Sequence, residues 1–391
     1  MLTRIAIKNF RSLRDVELDM QGLTVLIGPN GGGKSNLLDV FALMAEAAKG
    51  GLNEGILRRG GGGALLYRSR RGGLAFEFEF ASGEFESTIG DIHYSLEVLP
   101  LSDLPIVNVR SEKVYSIGGD TLDSETPPLT LVHREYEKLT FLNDFTGAKE
   151  DKRIDRVGEL AISQIKDRTS YPIPYELLSE LENWTLYRPI RVDSGAAARA
   201  PQMIRHGLRL LPDGSNLSSV LYSIKDQHLV LWTEICEILG LAYPGFRALT
   251  FPPEGGDGKI VLRWAEDPHS DSFSATLLSD GTLRFLSLLA ILKSPNPPPL
   301  ICIEEPEIGL HPDWIKIVAE LLESAATRTQ IIVATHSPEL VSHVQPEHVV
   351  VVEKENGQST FARLKEDELS AWLDKFRLGD LWLSGEIGGR P

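Results

Sequence analysis

Near the start of the chain, Gly28-Pro29-Asn30-Gly31-Gly32-Gly33-Lys34-Ser35 fits the pattern G-x-x-x-x-G-K-[ST] of a phosphate-binding loop. Glycines at 31, 32 and 33 let the backbone wrap an oxyanion without Cβ clashes. Lys34 is placed to reach the β- and γ-phosphates of a triphosphate, and the Ser35 hydroxyl to ligate Mg²⁺. Far along the chain, Leu300-Ile301-Cys302-Ile303 runs into two adjacent carboxylates, Glu304 and Glu305. Beside a phosphate loop, such a pair holds the metal and the attacking water. Glu304 would support the Mg²⁺ shell, and Glu305 would orient or deprotonate the water.

These residues need elements that aim them. Leu23–Ile27 is a short apolar run that predicts a buried strand, and residues 36–46 carry apolar side chains at helical spacing. Strand, loop and helix together point the first helical amides at one spot, where partial positive charge gathers. In the second half, residues 282–292 read as a helix apolar nearly all round, hence buried. Strands at 300–303, 330–335 and 348–352, with a helix from Asp313, predict a parallel sheet covered on both faces.

Elsewhere in the first 117 residues, apart from a flexible basic segment expected over Gly50–Gly73, the alternation is that of half-buried strands, most strictly in Leu74-Ala75-Phe76-Glu77-Phe78-Glu79-Phe80. From about Gly118 the chain turns polar and turn-rich, and from 156 apolar stripes such as Leu177, Leu178 and Leu181 predict helices. The organisation read from this is a first lobe over 1–117, a mostly helical insertion over 118–244, a second lobe over 245–352 and a tail over 353–391.

The 391 residues are 42% hydrophobic and 24% charged, which is ordinary for a soluble globular chain. No apolar run approaches the ~18 residues of a membrane span, and the N-terminus lacks the apolar stretch of a signal peptide. With only Cys236 and Cys302, no disulfide framework is expected, so the expectation is a cytoplasmic protein without membrane contact. A net charge of −15 excludes a basic nucleic-acid-binding domain as the main theme. Two arginine segments remain candidates for local contact with duplex DNA: Arg58, Arg59, Arg68, Arg70 and Arg71, then Arg188, Arg191, Arg199, Arg205 and Arg209.

Further motifs fall in a fixed order. Leu278-Ser279-Asp280-Gly281-Thr282 opens the buried helix; Gly309-Leu310-His311-Pro312 follows the carboxylates; His336 closes the next strand; and Lys8-Asn9-Phe10-Arg11-Ser12 precedes the phosphate loop. Taken together the chain resembles the ABC-type ATPases, in the branch of RecF, SMC and the OLD-family ATPases. The resemblance covers residues 1–50 and about 270–352 well. It implies an α/β P-loop NTPase of ABC-ATPase type, with a mixed β-sheet core, helices on both faces, an antiparallel β subdomain and a helical insertion.

By that resemblance, Leu278–Thr282 is the signature, Glu304 and Glu305 are Walker B and the catalytic glutamate, 309–312 is the D-loop and His336 the switch histidine. ATP is then bound by Asn30, Gly31, Gly32, Gly33, Lys34, Ser35 and Asn36 with Arg11. Ser279 and Gly281 cap the nucleotide of a second subunit in an ATP-gated homodimer. Lys34, Glu305 and His336 carry catalysis, and Ser35 and Glu304 hold Mg²⁺. The sequence departs from the family at Glu304, where Asp is commoner, and at Asp280, where Gly is usual. Gln164 is the sole candidate for a glutamine loop. No long coiled coil is present, and the tail beyond Val352 is too short for a Toprim nuclease domain. Two roles stay open, a DNA-linked machine for repair or defence and a regulatory ATPase acting on an effector protein; the RecF-like N-terminal motif and the missing glutamine loop argue against a transporter ATPase.

Overall fold

The computed structural model describes the chain except residues 70, 71, 83–89, 102, 103, 119–127, 144, 145, 155, 208, 256, 270 and 391. Arg70 and Arg71 of the first arginine segment thus lie outside the described residues. The chain divides into two compact units, residues 1–185 with 350–363, and residues 186–349 with 364–390.

In the first unit, strands β1 (Leu2–Phe10), β2 (Leu13–Asp19), β3 (Leu23–Ile27), β4 (Leu74–Phe80), β5 (Asp91–Pro100), β6 (Val107–Ile117), β7 (Leu129–Glu135), β8 (Lys138–Leu142) and β9 (Lys149–Arg153) surround one long helix, α1 (Lys34–Ala48). All but β3 form an antiparallel sheet in the order β2-β1-β4-β5-β6-β7-β8-β9. The strict alternation of β4 does what its period demands: Leu74, Phe76, Phe78 and Phe80 are buried while Glu77 faces out. The buried face receives α1 through aromatic contacts. Trp184 packs edge-on against Phe41 of α1 at 5.3 Å and against Phe78 at 5.4 Å between centroids. Strand β3 is buried throughout and neighbours the strand Val349–Glu355, which pairs in turn with Gln358–Arg363.

The described residues between 128 and 154 differ from their reading as turns. β7, β8 and β9 continue the sheet, with registers such as Val114↔Val132 and Phe141↔Glu150. The polar sequence misleads because these strands have a solvated face, and β9 is exposed at all five positions. The segment after Gly50 also differs: Leu52–Arg58 is a helix, and Arg59 is buried in ion pairs to Asp39 at 2.9 Å and Glu46 at 2.7 Å. Within 118–244 strands come first and helices after: Pro172–Glu182 in the first unit, Leu217–Gln227 and Leu229–Ala242 in the second. The stretch 156–162 is tied to the sheet by Glu112, which is fully buried and accepts from the amides of Ala161 and Ile162.

In the second unit, Leu300–Glu304 and Gln330–Ala334 pair in parallel, Leu300 opposite Gln330 and Glu304 opposite Ala334, joined by the helix Pro312–Ala326. The helix Asp280–Leu292 is buried from Leu283 to Leu292 except at Arg284. Beneath it sits an aromatic cluster, with Tyr243 4.9 Å from Trp264 and 4.8 Å from Trp314, and Phe285 5.2 Å from Trp314. The tail docks through Leu378–Ser384, whose Trp382 is fully buried. Cys302 is buried, Cys236 half-buried, and both are free thiols. Among the described residues no helix is long and apolar enough to cross a membrane.

Candidate active site

The phosphate loop links β3 to α1 in the first unit. Asn30 and Gly31 form an exposed crown, whereas Gly32, Gly33 and Lys34 are buried. Two glycines are dictated by close approach. A Cβ on Gly28 would lie 2.0 Å from the Val352 carbonyl oxygen, and one on Gly33 would lie 2.1 Å from Ser359 Oγ. Gly33 also has φ +126°, outside the reach of other residues, and it stands at the N-cap of α1 without a capping side chain. A glycine at this cap brings no side chain of its own to the start of the helix, the end at which an anion is favoured.

Lys34 is nearly fully buried and folds back on its own loop, Nζ donating to the carbonyls of Gly28 at 2.6 Å and Pro29 at 3.1 Å. Ser35 is exposed one residue further on. Arg11, at φ +48°, reaches α1 and donates to Asp39 at 2.9 Å and to Asn36 Oδ1 at 3.3 Å. Asn36 Nδ2 in turn donates to Ser12 Oγ at 2.7 Å. The structure thus brings Arg11, Asn36 and the Lys34–Ser35 turn together. Gln164 lies at the end of a short turn, Ile162–Gln164, with an exposed side chain.

The remaining sequence-predicted residues lie in the second unit. Glu304 ends its strand, half-buried, with Arg188 Nε 3.5 Å from its carboxylate. Glu305 leaves the strand at φ +49°, a left-handed conformation unusual for a residue with a Cβ, while its amide still donates to Ala334 O at 2.7 Å. The pair helps line a cavity shared with Arg188, Arg284, Leu288, Ile291 and Ile303.

Ser279 is exposed and caps the helix Asp280–Leu292, its Oγ accepting from the Thr282 amide at 3.1 Å. Thr282 is held from behind by Tyr243, hydroxyl to hydroxyl at 2.7 Å. At Gly281 a Cβ would lie 2.5 Å from the Gly309 carbonyl oxygen, so only glycine lets this helix start approach the 306–310 turn. His336 is half-buried, and its amide donates to Glu307 Oε1 at 2.9 Å.

Sequence reasoning missed Glu307. The Thr335 hydroxyl also donates to Glu307 Oε1, at 2.6 Å, so this side chain ties the switch strand to the carboxylate turn. Burial pushes its carboxyl above the ordinary range, against the opposing pull of those hydrogen bonds. Its signal was its place inside the run Glu304-Glu305-Pro306-Glu307. Among the described residues, no group of three or more His, Cys, Asp or Glu gathers as a metal centre. The Ser35 hydroxyl in the first unit and the Glu304 carboxylate in the second are each oxygen donors of the kind that suits Mg²⁺.

A family model described as "AAA domain, putative AbiEii toxin, Type IV TA system" matches residues 23–342. Over 44 residues, 11% of this chain and 8% of the relative, the sequence is 46% identical to the OLD nuclease of Thermus scotoductus. Over 51 residues, 12% of this chain and 4% of the relative, it is 45% identical to the chromosome partition protein Smc of Methanocaldococcus jannaschii. These matches span less than a tenth of either curated relative's length. In three dimensions the chain is similar to a crystal structure of an Smc head bound to the C-winged helix domain of ScpA. That likeness has a TM-score of 0.56 at 16% identity and covers 95% of this chain and 99% of the other. It is similar also to the Smc head domain with an extended coiled coil, bound to the C-terminal domain of ScpA, derived from Pyrococcus furiosus. There the TM-score is 0.53 at 14% identity, covering 96% and 98%. These likenesses show the fold.

Proposed function

The chain belongs to the family described as AAA domain, putative AbiEii toxin, Type IV TA system, and from that premise we propose that it is an ABC-type ATPase of the SMC and OLD kind, which closes into a homodimer around Mg-ATP and hydrolyses it to drive a conformational change. The observation that carries this reading is the presence of two helix starts suited to phosphate, one at Gly33–Lys34 and one at Ser279–Gly281. The first takes the nucleotide's own triphosphate. The second is exposed and faces a phosphate presented by a second copy.

In this reading Asn30 to Gly33 wrap the phosphates, and Lys34 exchanges the Gly28 and Pro29 carbonyls for phosphate oxygens. Arg11 keeps Asn36 in place beside them. Ser35 and Glu304 hold Mg²⁺, which when bound neutralises charge on the phosphate oxygens. Glu305 orients the water and takes its proton, and His336 steadies the γ-phosphate. Residues 1–117 and 245–352 act as the two lobes, and parts of 118–244 are what the closing dimer moves. Nucleotide supplies the differential binding energy for the closed state, and hydrolysis removes it.

The test is Glu305→Gln. It should bind ATP, lose at least about 100-fold in turnover and accumulate as a dimer in sedimentation velocity. A chain that stays monomeric with saturating Mg-ATP sinks the reading.

As to process, DNA repair or defence against foreign DNA remains the main proposal, in the cytoplasm. A regulatory ATPase acting on an effector protein is favoured by one observation. Arg59 and Arg199 are buried in internal pairs, which leaves less cationic surface than the sequence suggested. ATPase rates with and without duplex DNA at two salt concentrations separate the two, since phosphate contacts are salt-sensitive.

A further inference from the structure

Arg199 was read from sequence as one of a run of surface arginines. It is buried instead, its side chain 8% exposed, and it addresses the signature turn. Its Nη1 donates to the carbonyls of Ala275 at 2.9 Å, Thr276 at 3.3 Å and Leu278 at 2.7 Å. Nε donates to Val192 O at 2.7 Å, and Nη2 to Asp280 Oδ1 at 2.6 Å. One guanidinium therefore gathers three carbonyls of the segment leading into the helix and the first side chain of the helix itself. Only arginine fans enough donors in one plane to do this.

Asp280 is the residue at which this signature departs from the family pattern. An acid in the first turn suits the helix dipole. It also stands next to Ser279 and Gly281, where an incoming phosphate would meet a like charge. The Asp280 side chain is 60% exposed, so solvent alone would leave that charge facing the newcomer. A buried cation 2.6 Å away changes the balance.

We propose that Arg199 is a positioning residue for the signature. It fixes residues 275–278 so that Ser279 faces outward, and it cancels the charge of Asp280 so that the γ-phosphate held by a second copy can dock. This rests on the reading of Ser279–Gly281 as a phosphate cap given above. A packing role alone would be indifferent to the charge at position 280, and that difference decides the test.

In the Glu305→Gln background, monomer affinity for a fluorescent ATP analogue and ATP-driven association by sedimentation are measured separately. Arg199→Met is expected to weaken association about 30-fold or more, with nucleotide affinity within about 3-fold of the parent. Adding Asp280→Asn should restore about 10-fold of the loss. Arg199→Lys keeps the charge without the fork and guards against a misfolded Met variant; a loss of about 10-fold with the same rescue is expected. Association unchanged by both Arg199 variants, or a loss that Asp280→Asn does not relieve, overturns the proposal. A parent Glu305→Gln chain that never dimerises fails before position 199 is touched, and overturns the cap reading together with the role of Arg199.

Discussion

The helices Lys34–Ala48 and Asp280–Leu292 both begin at sites we propose for phosphate, but they begin in different ways. The first has glycine at its cap and so no capping side chain. The second caps itself through Ser279, with Tyr243 and Arg199 bracing the turn from elsewhere in its unit. A start made of backbone is complete on its own and hungry for an anion. A start made of side chains is satisfied while it waits, since the Ser279 hydroxyl already accepts from the Thr282 amide. The contrast matches an order of events in which nucleotide loads first and closure follows.

The largest effect should come from breaking the backbone-made start. Gly33→Ala places a Cβ at φ +126° and 2.1 Å from Ser359 Oγ. Stability should fall by about 3 kcal/mol or more, and calorimetric ATP affinity by at least about 100-fold. Normal ATP binding by this variant would mean that the loop is not backbone-determined. At the other start, Ser279→Ala should cost about 1 kcal/mol as a lost cap and Ser279→Gly only a few tenths. Both should load ATP normally and lose ATP-driven association; a Gly variant that still associates would remove Ser279 from the cap.

A pH experiment sharpens the same difference. Burial raises the Glu307 carboxyl above its ordinary value of 4.5, so the folded state holds that proton more tightly than the unfolded one. The stability it contributes is present below about pH 4.5 and is lost as pH rises through the raised value, at a slope of at most about 1.4 kcal/mol per pH unit. Denaturant melts from pH 4.5 upward should show this fall, and Glu307→Gln should flatten it. An unchanged slope in the variant would assign the titration elsewhere. The smallest effect belongs to Arg58→Ala, which removes an exposed pair to Glu46 at 2.8 Å and should change stability by less than about 0.5 kcal/mol. A marked drop in DNA affinity for the same variant would revive the first arginine segment as a nucleic-acid contact.

The same division explains what was legible in the sequence. Lys34, Ser35 and the strand and helix around them could be read because a backbone cradle writes itself locally, in glycines and flanking periodicity. Glu304 and Glu305 were legible as the polar end of an apolar strand. Arg199 was not, because all but one of its partners lie 76 to 81 residues away and four of the five are carbonyls, which carry no sequence signature. Glu307 was hidden by the more conspicuous pair before it. The strands β7 to β9 escaped notice because a half-solvated sheet face looks, residue by residue, like a string of turns.

Strand β9 has one further consequence, for colloidal behaviour. It closes one border of the antiparallel sheet, and its five residues, Lys149 to Arg153, are all charged and all exposed. The outer amides and carbonyls of such a border are a ready template for another strand, and ionised side chains make that template expensive to dehydrate. Stacking of molecules border to border into filaments is thereby discouraged even in concentrated solution, and self-association is left to surfaces other than this one.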